Sequence, residues 1–409
     1  MESARAEGPY AGIRVLAVTR VVAAPFSTYQ LALHGADVIT IESADGKGDQ
    51  ARRTGNPRSR RYVQQLMAPH FLSHSANKRS MTLNLASPQG KEVFLKLAGT
   101  ADVVVENLRT GSMDKLGLGY GDLSRLNSRL IFASLTGFGQ TGPKRRDPAI
   151  DPIIQAGSGL MAITGTDESG PLKVGAPVID YFAGMGMAFA IATALYQRQQ
   201  TGRGQQIDVS LLEAAMVMMS NVVGETLATG VNPPRVGNGS PFGSPTTGSY
   251  ACKQGFLFIS AGQDTQRDRL WQVLQRPDIP ADPRFATRQS CMEHLDELRD
   301  EIARTLKTKT ADEWEQLLEA ASLSVMKVRT ITEAADHPQI VARGLFHHFD
   351  DVQGLGLSAR VPKAFYRMSE GPAKITSEPP RLGQHTDEVL RELGYAQADI
   401  EALRQAGDI

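Results

Sequence analysis

Two hydrophobic patterns take turns along the first half of the chain. Short runs rich in Val, Ile and Leu occupy residues 13–18, 37–42, 101–106 and 129–135, and between them lie stretches such as 25–34 and 91–98 with the spacing of a helix packed on one side. This alternation predicts a parallel sheet joined by crossover helices. Residues 81–85 read as a further strand, and Ser87 followed by Pro88 reads as the start of the next helix. Past Gly230 the pattern changes. Pro233, Pro234, Gly237 and Gly239 mark a linker, residues 248–260 read as a hairpin turning at 253–255, and helices are expected over 266–274, 295–305 and 311–320. The expectation is an α/β fold: a Rossmann-like large domain begun by residues 1–225, a linker and smaller α+β domain over 226–335, and a return segment, 336–409, that completes the large domain.

One stretch breaks the pattern. Gly170–Met187 places a single carboxylate, Asp180, between a Gly/Pro-rich approach and an apolar run over 185–196 that reads as a buried helix. An acid at that position is either a helix cap or a working group. Gly184 and Gly186 follow within a turn, where glycine weakens a helix but lets a substrate or another backbone come close. The apolar run is the chain's one candidate for a membrane span. Short, glycine-interrupted and headed by a carboxylate, it is read as a buried helix of a soluble protein.

Composition narrows the classes of function. Lys plus Arg equals Asp plus Glu at 44 each, so no net charge points to nucleic acid or an anionic membrane. Cys252 and Cys291 stand far apart without metal-ligand spacing, which argues against structural zinc or a disulfide framework and fits a reducing cytosol. Residues 1–9 read as a short disordered lead. The turn after the first strand, residues 19–25, has no GxGxxG, yet it is a helix N-terminus at the carboxyl end of a strand, where open α/β sheets bind anions. The loop 46–53 is basic. Asn107, Arg109 and Lys115 follow the strand ending at Glu106, and they are either solvated turn residues or phosphate contacts. Asp151 stands at the start of a further helix and could cap it.

These motifs, in this order, resemble the family III coenzyme A transferases: Gly12–Leu16, His34–Ile39, Asn77–Ser80, Glu106–Gly111, Thr136–Pro143, Gly175–Asp180, Thr201–Gln205, and the closing Leu382–Thr386 with Val389–Gly394. The match spans nearly the whole chain. The family contains formyl-CoA and carnitine CoA-transferases and the related α-methylacyl-CoA racemases. The resemblance implies that Asp180 is a nucleophile that carries CoA as an aspartyl thioester, with Asp151 near it. It implies no permanently bound cofactor, acyl-CoA and a small carboxylic acid as substrates, and an interlocked homodimer. By matched position, CoA would be held by Val22, Ala23, Ser75, Asn77, Lys78, Asn107, Leu108, Arg109, Lys115, Ala149 and Ile150, with Arg20 as an additional electrostatic candidate.

Departures from the family pattern matter. Val22 stands where formyl-CoA transferases have a glutamine, so small polar acids lose a donor. Ser43 stands in place of an arginine, shifting phosphate binding to Lys47, Lys78, Arg109 or Lys115. The glycine run over the active site is replaced by residues 237–245. The racemase branch uses a histidine where this chain has Ile150, which removes one of its two proton carriers; His34 and His74 are read as structural or substrate-edge residues. The alternatives to a transferase are a racemase of the same fold and a noncatalytic CoA-ester-binding homologue in which Asp180 only caps a helix. Val22, Met161 and the Phe242 region suggest a dicarboxylate or a branched, medium-sized acid as substrate.

Overall fold

A computed structural model describes residues 7–409. Residues 1–6 of the expected lead lie outside the described residues. From Gly8 the chain is already tied down, because Gly8 O accepts from Ala11 N–H and Tyr10 N–H is bonded to His34 O.

The β-branched runs form a six-stranded parallel sheet: β1 (Arg14–Val18), β2 (Asp37–Glu42), β3 (Lys78–Thr82), β4 (Val103–Glu106), β5 (Ile131–Thr136) and β6 (Gln206–Ser210), in the order β3-β2-β1-β4-β5-β6. Chain order reverses beside β1, which pairs with both β2 and β4. Ligands of open α/β sheets gather outside the carboxyl ends of the strands at such a point. The strand expected at 81–85 lies three residues earlier. The alternation in Met-Thr-Leu-Asn-Leu imitates a half-buried strand, but the ladder to β2 pairs Val38 with Lys78 and Glu42 with Thr82.

Crossover helices cover both faces. Helix α1 (Ala23–Leu33) follows β1, and α2 (Pro88–Thr100) opens with Ser87 Oγ accepting the Gly90 N–H. Helices α3 (Asp151–Gly157) and α4 (Val178–Thr201) follow β5. Helix α4 is long and apolar enough to cross a membrane by length and composition. Here Ile179, Ala183, Met187, Ile191, Ala194 and Leu195 form a buried stripe along it, packed on α1 and β5.

The chain divides into two compact units. The first runs through Ser158 and includes Gly175–Ser220 and Arg343–Ile409. Its core joins Leu16, Ile39, Val104 and Phe132 of the sheet to Val389, Leu390, Ile400 and Leu403 of the final two helices, Thr386–Glu392 and Gln397–Gln405. The second unit comprises Gly159–Val174 and Asn221–Ala342. Its antiparallel strands Gly248–Ala251, Phe256–Ser260 and Ser324–Lys327 pack with helices around Trp271, Ile302 and Trp314. The excursion Gly159–Val174, expected within the first stretch of the large domain, clusters with this unit, and Gly165 O accepts the Gly237 N–H at 2.8 Å. A bond between residues so far apart in sequence leaves no local signature.

Candidate active site

Asp180 lies inside helix α4, in its first turn. The residue at the N-cap position is Pro177, which supplies no side-chain bond. The capping is done from elsewhere: Asp151 Oδ2 accepts the N–H of Ile179 at 2.8 Å and of Asp180 at 3.1 Å. The part that local sequence suggests for Asp180 is therefore taken by Asp151. Asp151, at the start of α3, caps α4, and Gln155 Nε2 donates to its other oxygen. Asp180 caps nothing.

This arrangement leaves the Asp180 carboxylate without compensation. No hydrogen bond reaches it among the described residues, and no cation faces it. Burial first, and then the negative charge of Asp151, push its pKa up to about 7. A carboxylate of that basicity is a stronger nucleophile than a solvated one and is still about half ionised at neutral pH.

The glycines after Asp180 have different uses. A methyl group on Gly184 would sit 2.4 Å from the carbonyl oxygen of Ala23, so this glycine lets α4 touch the first turn of α1. Gly186 has open space beside it. Asp180 and Gly184 are one helical turn apart on one face, which puts the carboxylate over the N-terminal end of α1. The rings of Phe26 and Tyr181 meet edge to face at the same contact, 4.9 Å between centroids.

The other end of the β1–α1 turn borders a cavity of about 240 Å³ at the carboxyl ends of β1, β2 and β3. Arg20, Ser43 and Leu108, three of the residues expected at the CoA site, line it together with Gly48, Asp49, Asn84 and Leu116. Arg20 faces solvent at its edge. Lys47, Arg109 and Lys115 are exposed and each stands next in sequence to a lining residue. None of these four cations forms an ion pair among the described residues. The set can hold a polyanion by charge, without the arginine that Ser43 replaces.

Several other expected contacts are used inside the protein. Lys78 is buried and its Nζ donates to Pro25 O at 2.8 Å; burial lowers its pKa to about 7, so it offers no surface charge for a phosphate. Asn77 ties helix α1 to the return segment, donating to Ala32 O and Lys374 O and accepting from the N–H groups of Thr376 and Ser377. Ser75, Val22 and Ala23 are buried. Asn107 spends its amide on the backbone of Arg20. Ala149 packs against Gly137, and Ile150 is exposed as the N-cap residue of α3. Sequence reasoning missed Asp49, which is buried at the cavity wall; the only local hint is its place in the basic loop. Among the described residues no group of three His, Cys, Asp or Glu side chains is placed to hold a metal.

Comparison with known proteins adds three findings. Residues 10–386 match CoA-transferase family III. The chain is 36% identical over 395 residues to a succinate–glutarate CoA-transferase of Agrobacterium fabrum, covering 94% of this chain and 96% of that protein, and 33% identical over 406 residues to an acyl-CoA transferase of Fusarium pseudograminearum, covering 98% and 89%. Its fold is similar to the crystal structure of a CAIB/BAIF family protein from Brucella suis, with a TM-score of 0.87, 31% identity, and coverage of 95% of this chain and 100% of that one.

Proposed function

Since the chain belongs to CoA-transferase family III and is a CoA-transferase, we propose that it moves CoA from an acyl-CoA thioester to a free carboxylic acid through an aspartyl-CoA thioester on Asp180. The observation that carries this reading is the unpaired, basic carboxylate at the start of α4. Ionised Asp180 attacks the thioester carbonyl carbon; the C–S bond breaks, giving a mixed anhydride and CoA thiolate. The thiolate attacks the aspartyl carbonyl and expels the donor acid as its carboxylate, leaving aspartyl-CoA. The acceptor carboxylate then repeats the two steps in reverse order and regenerates Asp180. No group has to remove a proton, so the lack of a Ser/His/Asp arrangement is no obstacle.

Asp151 has two parts in this scheme. Its bonds to Ile179 and Asp180 N–H fix the backbone of the nucleophile, and its charge keeps that nucleophile basic. The nucleotide end of CoA is assigned to the cavity at the strand ends, with Arg20, Lys47, Arg109 and Lys115 meeting its phosphates. A dicarboxylate is the proposed acid class: relatives are named for succinate and glutarate and for oxalate.

An interlocked homodimer is part of the same proposal. Phe182, Phe189 and Tyr196 repeat every seven residues along α4 and are 40%, 75% and 65% exposed, an apolar stripe that a second chain would cover. Two free thiols, Cys252 and Cys291, agree with a reducing cytosol as the place of action. The test is exchange itself. With succinyl-CoA or acetyl-CoA as donor and a panel of free acids, mass detection should show new thioesters with the wild-type protein and none with Asp180→Ala, while CoA binding stays within a few-fold. Exchange that survives in Asp180→Ala would refute the assignment.

A further inference from the structure

The turn between β1 and α1 is held far more firmly than a connection requires. Val21 adopts φ +67°, and it is the one β-branched residue at positive φ among the described residues. A glycine would take that conformation without strain, whereas a β-branched side chain keeps it only if its surroundings impose it. They do so through both peptide groups. Asn107, 87 residues away, accepts the Arg20 N–H at 2.7 Å and donates to Arg20 O at 2.8 Å. The carboxylate of Asp49 accepts the Val21 N–H at 3.2 and 3.3 Å, and His74 Nε2 donates to Val21 O at 3.1 Å. Asp49 and His74 are themselves buried and anchored. Asp49 N–H donates to Glu42, which is locked in a buried pair with Arg52, and His74 Nδ1 meets Ser73 Oγ at 3.0 Å.

The strained turn has two outputs. Toward the cavity it fixes Arg20 at the edge. Toward α4 it fixes the first turn of α1, whose Ala23 and Ala24 N–H groups meet no acceptor among the described residues and whose Ala23 carbonyl touches Gly184, on the Asp180 face. We propose that Asp49 and His74 are positioning residues of the transfer reaction: by forcing Val21 into its left-handed conformation they set the distance between the CoA-facing cavity and the Asp180 carboxylate. This inference rests on the transferase reading above. Losing either bond to Val21 would let the turn relax and the two halves of the site drift apart.

Three variants of the full chain test it: Val21→Gly, His74→Leu and His74→Gln, with melting temperature, kcat and KM measured for CoA exchange. In Val21→Gly, which keeps both bonded peptide groups and sheds the strain, the melting temperature is expected to rise. In His74→Leu kcat should fall roughly tenfold to a hundredfold, the scale of a small misplacement of reacting groups, with KM changed less than about threefold, and His74→Gln, whose amide can still donate to Val21 O, should recover most of it. Equal kcat in the two His74 variants, or a melting temperature that does not rise in Val21→Gly, would overturn the assignment. No exchange by the wild-type protein would instead overturn the transferase reading, and this assignment with it.

Discussion

Glu42 and Asp180 are both carboxylates withdrawn from water, and the fold treats them in opposite ways. Glu42 is given everything a buried anion needs: Arg52 at 2.7 and 2.8 Å, the Ser80 hydroxyl at 2.6 Å and the Asp49 N–H at 3.0 Å. Despite its burial, those partners hold its pKa below the ordinary value. Asp180 is given a like charge and no donor, and its pKa rises to about 7. The first arrangement makes a frame, and the second leaves an uncompensated acid, the one the proposed mechanism uses as its nucleophile. Full compensation suits an acid with a structural part, and its absence at Asp180 supports the proposed nucleophile.

Breaking the frame should have the largest effect on stability. Arg52→Met leaves Glu42 as a buried, unpaired anion and is expected to cost roughly 3–5 kcal/mol in denaturant unfolding at pH 7, with less loss at low pH where Glu42 can take up a proton. An equal loss at every pH would show that the pair stabilises by packing rather than by charge.

The opposite sign is expected at the reactive acid. The pKa of Asp180 is higher in the folded chain than in the unfolded one, so folding is favoured by its protonation; that contribution is complete below pH 4 and is lost as pH rises through about 7. Asp180→Asn removes the ionisation, and it should stabilise the protein by up to about 4 kcal/mol at pH 8 and by almost nothing at pH 4. A destabilised Asn variant at pH 8 would show that the carboxylate is a structural element after all.

Smaller effects sharpen the contrast further. In the wild-type enzyme kcat/KM should rise with pH along a limb centred near 7, as Asp180 ionises. Asp151→Asn keeps an oxygen to accept the Ile179 and Asp180 N–H groups but deletes the like charge. Its acid limb should move down by about one pH unit, with kcat above pH 8 reduced severalfold because the nucleophile is less basic. An unmoved limb would mean that Asp151 acts through the backbone alone.

Much of the frame was legible in the sequence because it is written in local chemistry. Val103-Val-Val-Glu106 and Asp37-Val-Ile-Thr-Ile-Glu42 have no good alternative to a strand, and Ser87-Pro88 starts a helix wherever it occurs in such a setting. The motif order pointed to the family and to Asp180. What stayed hidden depends on partners distant in sequence. Lys78 and Asn77 look like surface contacts until the fold turns one toward Pro25 and binds the other to residues 374–377. The capping of α4 by Asp151 spans 28 residues, and the φ of Val21 is imposed by side chains up to 53 residues away. No local pattern carries such information.

The most direct test of the account is the intact mass of the protein after brief incubation with an acyl-CoA donor and no acceptor acid. The account predicts a covalent CoA adduct on the peptide containing Asp180, removed by hydroxylamine and absent in Asp180→Asn. An unmodified chain that still exchanges CoA between acids, or an adduct on any other residue, would contradict it.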